Sequence, residues 1–178
     1  MADLGAPSVV FAALALSLER LCYVWVWRSP EAFRAVFASA PAREPVDALQ
    51  ALFVGFKTVQ LAVFLGWCLV YGDGRLWPPE ASVAAIVVGA GCLGFGQALN
   101  VGVFYRLGKR GVFYGNRFGY ETSWCRVFPF SVFDHPQYVG TLLSIWGFFL
   151  IMRFPAADWF VIPVIETAYY SLGAHAEQ

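Results

Sequence analysis

The sequence predicts an all-α integral membrane protein, a single domain over residues 1–178. Three spanning helices are expected, then a glycine- and aromatic-rich segment at one face, then a C-terminal helical hairpin. Three observations carry this. Of the 178 residues, 59% are apolar and only 13% charged, which is the composition of a chain immersed in lipid. The apolar residues gather in runs long enough to cross a hydrocarbon core of about 30 Å at about 1.5 Å per residue. The basic residues concentrate in two of the connections between those runs. A formal net charge of zero argues against a nucleic-acid partner, whose binding draws on a large basic excess. Cys22, Cys68, Cys92 and Cys125 form no CxxC pair, so neither a disulfide framework nor a metal site is expected.

The first span is expected over residues 8–27, interrupted by Glu19 and Arg20. Charges at that depth are costly and should face the bundle interior or reach toward an interface. A polar, proline-punctuated connection follows, with a short surface helix around Glu31 to Phe37. Asp47 is a plausible N-cap for the second span, residues 49–71, which carries Lys57 and Gln60 on one face, placed to meet Glu19. Gly72-Asp73-Gly74 and Trp77-Pro78-Pro79 predict a turn at the membrane interface.

The third span, residues 81–105, places Ala90, Gly94, Ala98 and Gly102 every fourth position, the small-residue pattern that lets helix backbones approach in lipid. Gln97 and Asn100 near its end need polar partners or a wet cavity. The hairpin is expected over residues 137–153 and 157–172, opened by Pro136, broken at Arg153-Phe154-Pro155 and kinked by Pro163.

Charge sets the orientation. Arg28, Arg34 and Arg43 after the first span, and Arg106, Lys109, Arg110, Arg117 and Arg126 after the third, oppose Arg75 and Arg153. The positive-inside rule places both basic segments and the C-terminus in the cytosol, whether at the endoplasmic reticulum or a bacterial inner membrane.

The segment 106–136 carries the chemistry. Gly108, Gly111, Gly115 and Gly119 alternate with Phe113, Tyr114, Phe118 and Tyr120. Exposed backbone amides serve a carboxylate, and aromatic faces attract sulfonium or methylated ammonium groups. Such a set suits S-adenosylmethionine, although glycines at 111, 115 and 119 would equally line one face of a packed helix.

The run Arg106 to Gly119, then Val127-Phe128-Pro129-Phe130, then Asp134-His135-Pro136-Gln137-Tyr138-Val139-Gly140 resembles the phosphatidylethanolamine and phospholipid N-methyltransferase family, most closely its plant type. The resemblance is strong over about residues 94 to 152. It implies a membrane enzyme that uses S-adenosylmethionine to methylate ethanolamine phospholipids, preferring mono- and dimethylated forms and ending at phosphatidylcholine. Its partners are then the phospholipid and the bilayer. It also implies a G-x-x-G cofactor motif at Gly108, Lys109, Arg110 and Gly111, with Tyr114 and Gly115 beside it. The family's second cofactor motif, a Glu-Glu pair after the last helix, falls here on His175 and Ala176, and only a short shift brings in Glu177; Glu166 is a further candidate.

His135 is a candidate general base, with Asp134 and Glu121 as alternatives, and Tyr138 a candidate wall of the site. Arg106 and Arg117 match lipid phosphate, and Gln97 and Asn100 are candidate contacts of the substrate. Two other readings stay open: a membrane methyltransferase of the isoprenylcysteine carboxyl type, and a non-catalytic lipid-binding protein.

Overall fold

The computed structural model describes residues 7–38, 44–76, 81–122 and 125–177, which contain helices and no strand. The helices are α1 (Pro7–Arg28), α2 (Pro30–Phe37), α3 (Pro45–Tyr71), α4 (Val83–Val112), α5 (Pro136–Met152) and α6 (Val161–Ala176), with a 3-10 turn at Gly115–Phe118. α1, α3 and α4 are each long and apolar enough to cross a membrane. Proline stands in the first turn of α2, α3 and α5, where its missing amide hydrogen costs no helical bond. The expected Trp77-Pro78-Pro79 turn, and Arg43, lie outside the described residues.

Three boundaries differ from the sequence expectation. The second span begins at Pro45 with Glu44 as its N-cap, so Asp47 is not the cap but a first-turn residue. The third span does not stop at residue 105. It continues to Val112 through a break at Gly108 (φ 61°, ψ −176°), so the first part of segment 106–136 is the end of a helix. α6 starts at Val161 and runs to Ala176. Pro163 therefore sits in the first turn and does not kink it.

The closest packing is between α4 and α5, and it uses a different face of α4 from the one expected. A Cβ on Gly96 would lie 2.4 Å from Gly140 O, and one on Gly147 would lie 2.6 Å from Gly89 O. Glycine at these four positions is what allows the two backbones to touch. Ala90, Gly94 and Ala98 point outward instead, and nothing lies within 4 Å of a Cβ on Gly94. α1 packs on α3 and α6.

Two apolar clusters fill the bundle. One, around Leu16, Phe64, Trp67, Phe149 and Ile162, lies toward the hairpin turn. There Arg153 and Asp158 pair, Trp67 Nε1 donates to Asp158 Oδ2 at 2.8 Å, and Arg153 Nη2 donates to Tyr71 O at 2.6 Å, satisfying a carbonyl at the end of α3. The other, around Val26, Phe33, Leu49, Phe113 and Phe118, lies at the opposite end.

The buried charges of the spans are tied to one another or to polar side chains, as charges inside a membrane need to be. Arg20 and Lys57 both bond the Glu19 carboxylate, the latter at 3.0 Å. Lys57 Nζ also donates to Gln60 Oε1 at 3.1 Å and Tyr170 Oη at 3.0 Å. Gln60 Nε2 donates to Glu166 at 2.5 Å.

Candidate active site

A cleft opens where α1, the broken end of α4, the start of α5 and the end of α6 converge. Its walls include Glu19, Arg20, Tyr23, Lys57, Gly111, Tyr114, Asp134, His135, Tyr138, Tyr170 and Glu177. Each comes from an element whose local sequence aims it. The break at Gly108, in the left-handed region that favours glycine, redirects the last turn of α4 and brings Gly111 to the cleft. Tyr114 is itself left-handed (φ 53°) and is followed by Gly115, where a Cβ would lie 2.5 Å from Arg110 O. This tight reversal turns the Tyr114 side chain inward.

Outer ties hold the reversal in place. Arg34 Nη2 donates to Phe118 O, and Arg117 Nε donates to Trp27 O at 2.9 Å. Both therefore brace the segment against α1 and α2. His135 is the N-cap residue of α5, and its ring stacks on Tyr138 at 5.6 Å between centroids.

The tail of the chain closes the cleft. Tyr170, Gly173 and Glu177 recur at positions three and four apart, so they share one face of α6, while His175 points to the exterior. The hydroxyls of Tyr114 and Tyr138 both donate to Glu177 Oε1. One carboxylate thus joins the end of α6 to the segment before the 3-10 turn and to α5.

Aromatic faces surround a cation. The Arg20 guanidinium lies 4.1 Å from the Tyr170 ring centroid, 5.0 Å from Tyr23 and 5.4 Å from Tyr138. Only 8% of Arg20 is exposed, yet its Nε–H has no acceptor among the described residues. A buried donor of that kind, at the wall of a cleft, is suited to an anion or carbonyl of a bound molecule.

The structure brings together six residues singled out in the sequence: Gly111, Tyr114, Asp134, His135, Tyr138 and Glu177. Others lie elsewhere. Arg106, Gly108, Lys109 and Arg110 line a polar depression on the outer side of the same helix end, with Glu44 and Glu121. Lys109 pairs with Asp47 there, and Arg110 lies 3.4 Å from Glu44. Gly111 and Leu107 border both hollows, so the G-x-x-G turn separates them. Gln97 donates to Ser144 Oγ at 2.9 Å, and with Asn100 it lines a third hollow facing the spans. Glu166 is held by Gln60, deeper in the bundle.

Sequence reasoning noticed Glu19, Arg20 and Lys57 as buried charges but not as walls of this cleft, and it missed Tyr23 and Tyr170. A usable signal was present: Glu19-Arg20 and Tyr23 are one turn apart on α1, so the charges share their face with a polar aromatic.

Several known proteins are similar to this chain. The family described as phospholipid methyltransferase matches residues 84–177, a stretch that contains the glycine break, the α5 start and Glu177. A phosphatidyl-N-methylethanolamine N-methyltransferase of Arabidopsis thaliana is 30% identical over 136 residues, 76% of this chain and 75% of that protein. Phosphatidylethanolamine N-methyltransferase of Rattus norvegicus is 38% identical over 69 residues, covering 38% of this chain and 35% of its own. The Homo sapiens protein of the same name is 34% identical over 73 residues, covering 40% of this chain and 37% of its own. No solved structure matches the chain.

Proposed function

The chain belongs to the phospholipid methyltransferase family, and from that premise we propose that it methylates the amine of ethanolamine phospholipids with S-adenosylmethionine, preferring the mono- and dimethylated forms and ending at phosphatidylcholine. The observation that carries this reading is the convergence on one cleft of Gly111, the last residue of the G-x-x-G turn, the Asp134-His135-Pro136 start of α5, and Glu177 at the end of α6.

The residues present fit the cofactor. Gly111 lets backbone approach a ligand, the Glu177 carboxylate suits a sulfonium or ammonium, and the Arg20 Nε–H lacks an acceptor among the described residues. When bound, S-adenosylmethionine supplies an electrophilic methyl group. The chain's own task is to deliver a neutral amine to it in line. His135 and Asp134 stand beside Tyr138 at the cleft wall, placed to take the proton that an amine sheds. Tyr23, Tyr138 and Tyr170 already enclose the Arg20 guanidinium, so the Glu177 carboxylate is the group left to face an ammonium. The preference for methylated acceptors follows the Arabidopsis thaliana relative, whose name gives phosphatidyl-N-methylethanolamine as its acceptor.

The test is purified protein in liposomes with labelled methyl donor and, separately, unmethylated, monomethyl and dimethyl phosphatidylethanolamine. Label is expected in the last two above the first. No label in any lipid, with S-adenosylhomocysteine binding intact, would sink the assignment; equal or better use of the unmethylated lipid would sink the preference alone.

The active site is assigned to the cytosolic face, on the charge asymmetry of the connections. In the structure Arg34 of α2 and Arg117 beyond α4 brace the same end of the bundle, which supports a shared side. Cysteines introduced at exposed Ala38 and Glu121, in a background lacking the natural ones, are expected to label from the cytosolic side of vesicles. Labelling of either from the opposite side overturns this topology.

A further inference from the structure

A second hollow adjoins the cleft. It has a volume of about 510 Å³, runs between α3 and α4 over α5, and shares Phe53, Lys57, Gln137 and Thr141 with the cleft. Its size lies within the range of about 300–1,000 Å³ typical of ligand sites. Its walls are largely apolar, with Val101 and Phe104 toward the cleft and Phe64, Leu93 and Phe148 beyond them. α4 packs chiefly on α5, and α3 on α1, so the hollow lies where the two long spans are not pressed together. It therefore opens sideways, toward hydrocarbon.

Two features choose the occupant. From Phe104 to Leu93 the helical rise, at about 1.5 Å per residue, is about 16 Å, close to half of a hydrocarbon core about 30 Å thick. That is the depth of one leaflet, measured from the cleft inward. Asn100 lines the groove near the cleft end of this stretch, while its Oδ1 is turned to Gly140, where a Cβ would lie 2.8 Å from it. The groove thus carries a polar side chain at its cleft end and apolar ones beyond, the order in which a lipid presents its ester junction and its acyl chain.

We infer that this groove is the acyl-chain subsite of the acceptor phospholipid. The lipid slides in from the bilayer between α3 and α4, its head group reaching the cleft, an acyl chain lying along Val101, Phe104 and Phe148, and the Asn100 amide meeting polar atoms of the acyl-glycerol junction. The inference rests on the phospholipid reading above.

Two measurements test it. In Val101→Trp the groove is narrowed at an exposed position of α4, and in Asn100→Ala the amide is removed. In Val101→Trp, kcat/KM with dioleoyl dimethyl-phosphatidylethanolamine is expected to fall about tenfold relative to that with the dihexanoyl lipid, whereas Asn100→Ala should lower both by about the same factor, since both lipids carry the glycerol esters. A long-to-short ratio within twofold of the wild type in Val101→Trp overturns the proposal. The second measurement needs no variant and no turnover: wild-type protein in dioleoylphosphatidylcholine vesicles is irradiated with dimethyl-phosphatidylethanolamine bearing a diazirine in one acyl chain. Cross-links on residues 93–104 and 141–148, competed by unlabelled dimethyl lipid, are the expected result. Labelling spread around the outer faces of α1, α3 and α4 without competition overturns the subsite. If wild-type protein methylates no phospholipid but the competed cross-links appear, the functional reading fails while the groove stands as a lipid site.

Discussion

Gly140→Leu is expected to leave no stably folded protein. A Cβ alone at this position would come 2.6 Å from Gly96 O, 2.8 Å from Asn100 Oδ1 and 3.0 Å from Leu99 Cβ. Two of those neighbours offer no cheap escape, since one is backbone and another is the root of a fully buried leucine. Overpacking a core commonly costs about 1–3 kcal/mol when side chains can shift; separating α4 from α5 at a backbone contact should exceed about 3 kcal/mol, a large part of the stability of most domains. The control is Gly94→Leu, on the outward stripe of α4 where nothing lies within 4 Å. That variant should match or slightly exceed the wild type, because leucine is a better helix former than glycine by about 0.8 kcal/mol. Monodispersity and thermal midpoint in detergent decide. A folded Gly140→Leu protein, or a collapsed Gly94→Leu protein, would overturn the assignment of the packing face.

The comparison also shows where sequence reading reached its limit. Hydrocarbon imposes long apolar helices and leaves buried charges in need of partners, so the spans and the Glu19–Lys57 contact were legible from residue type and spacing alone. The packing face of α4 was not. Its sequence contains two overlapping small-residue patterns, and only the partner helix chooses between them: Gly140 and Gly147 on α5 repeat the spacing of Gly89 and Gly96. The extent of α4 was hidden for another reason. Glycines and charges at its end read as a loop, whereas in the structure one left-handed residue, Gly108, absorbs the change of direction and the helix resumes.

The site was legible in part because its pieces fall in compact motifs. Asp134, His135 and Tyr138 lie within a few residues of one another, and Gly111 and Tyr114 do likewise. The contribution of α1 was harder to see. Glu19, Arg20 and Tyr23 lie outside the family's matched stretch of residues 84–177, and they reach the cleft only through packing of α1 on α3 and α6. The register of the tail was hidden for a similar reason. Where a helix ends decides which of His175 and Glu177 turns inward, and α6 runs on to Ala176.

That register makes Glu177 the most consequential single side chain of the tail. Glu177→Ala is expected to lower methyl transfer on the order of 10²-fold, the scale seen when one preorganised polar contact to a reacting centre is removed. Two losses combine in it: the carboxylate that faces the tyrosine-walled cleft, and the acceptor of both the Tyr114 and Tyr138 hydroxyls. Glu177→Gln separates them. The amide oxygen still accepts from the tyrosines, so the tail stays docked and the thermal midpoint should move by no more than a few degrees, while the negative charge at the cleft is gone. If charge matters, the glutamine variant loses most of the activity that the alanine variant loses. Tyr114→Phe and Tyr138→Phe keep the charge and release only one hydroxyl each, so each should cost about 1.5–3 kcal/mol, the range for a hydrogen bond to a charged group. The measurement is initial rate with dimethyl-phosphatidylethanolamine, alongside affinity for S-adenosylhomocysteine and thermal midpoint. A glutamine variant with activity within threefold of the wild type would reduce Glu177 to a latch between α6 and α5, and the cation-facing role would then pass to Asp134 or Glu19, the other carboxylates of the cleft.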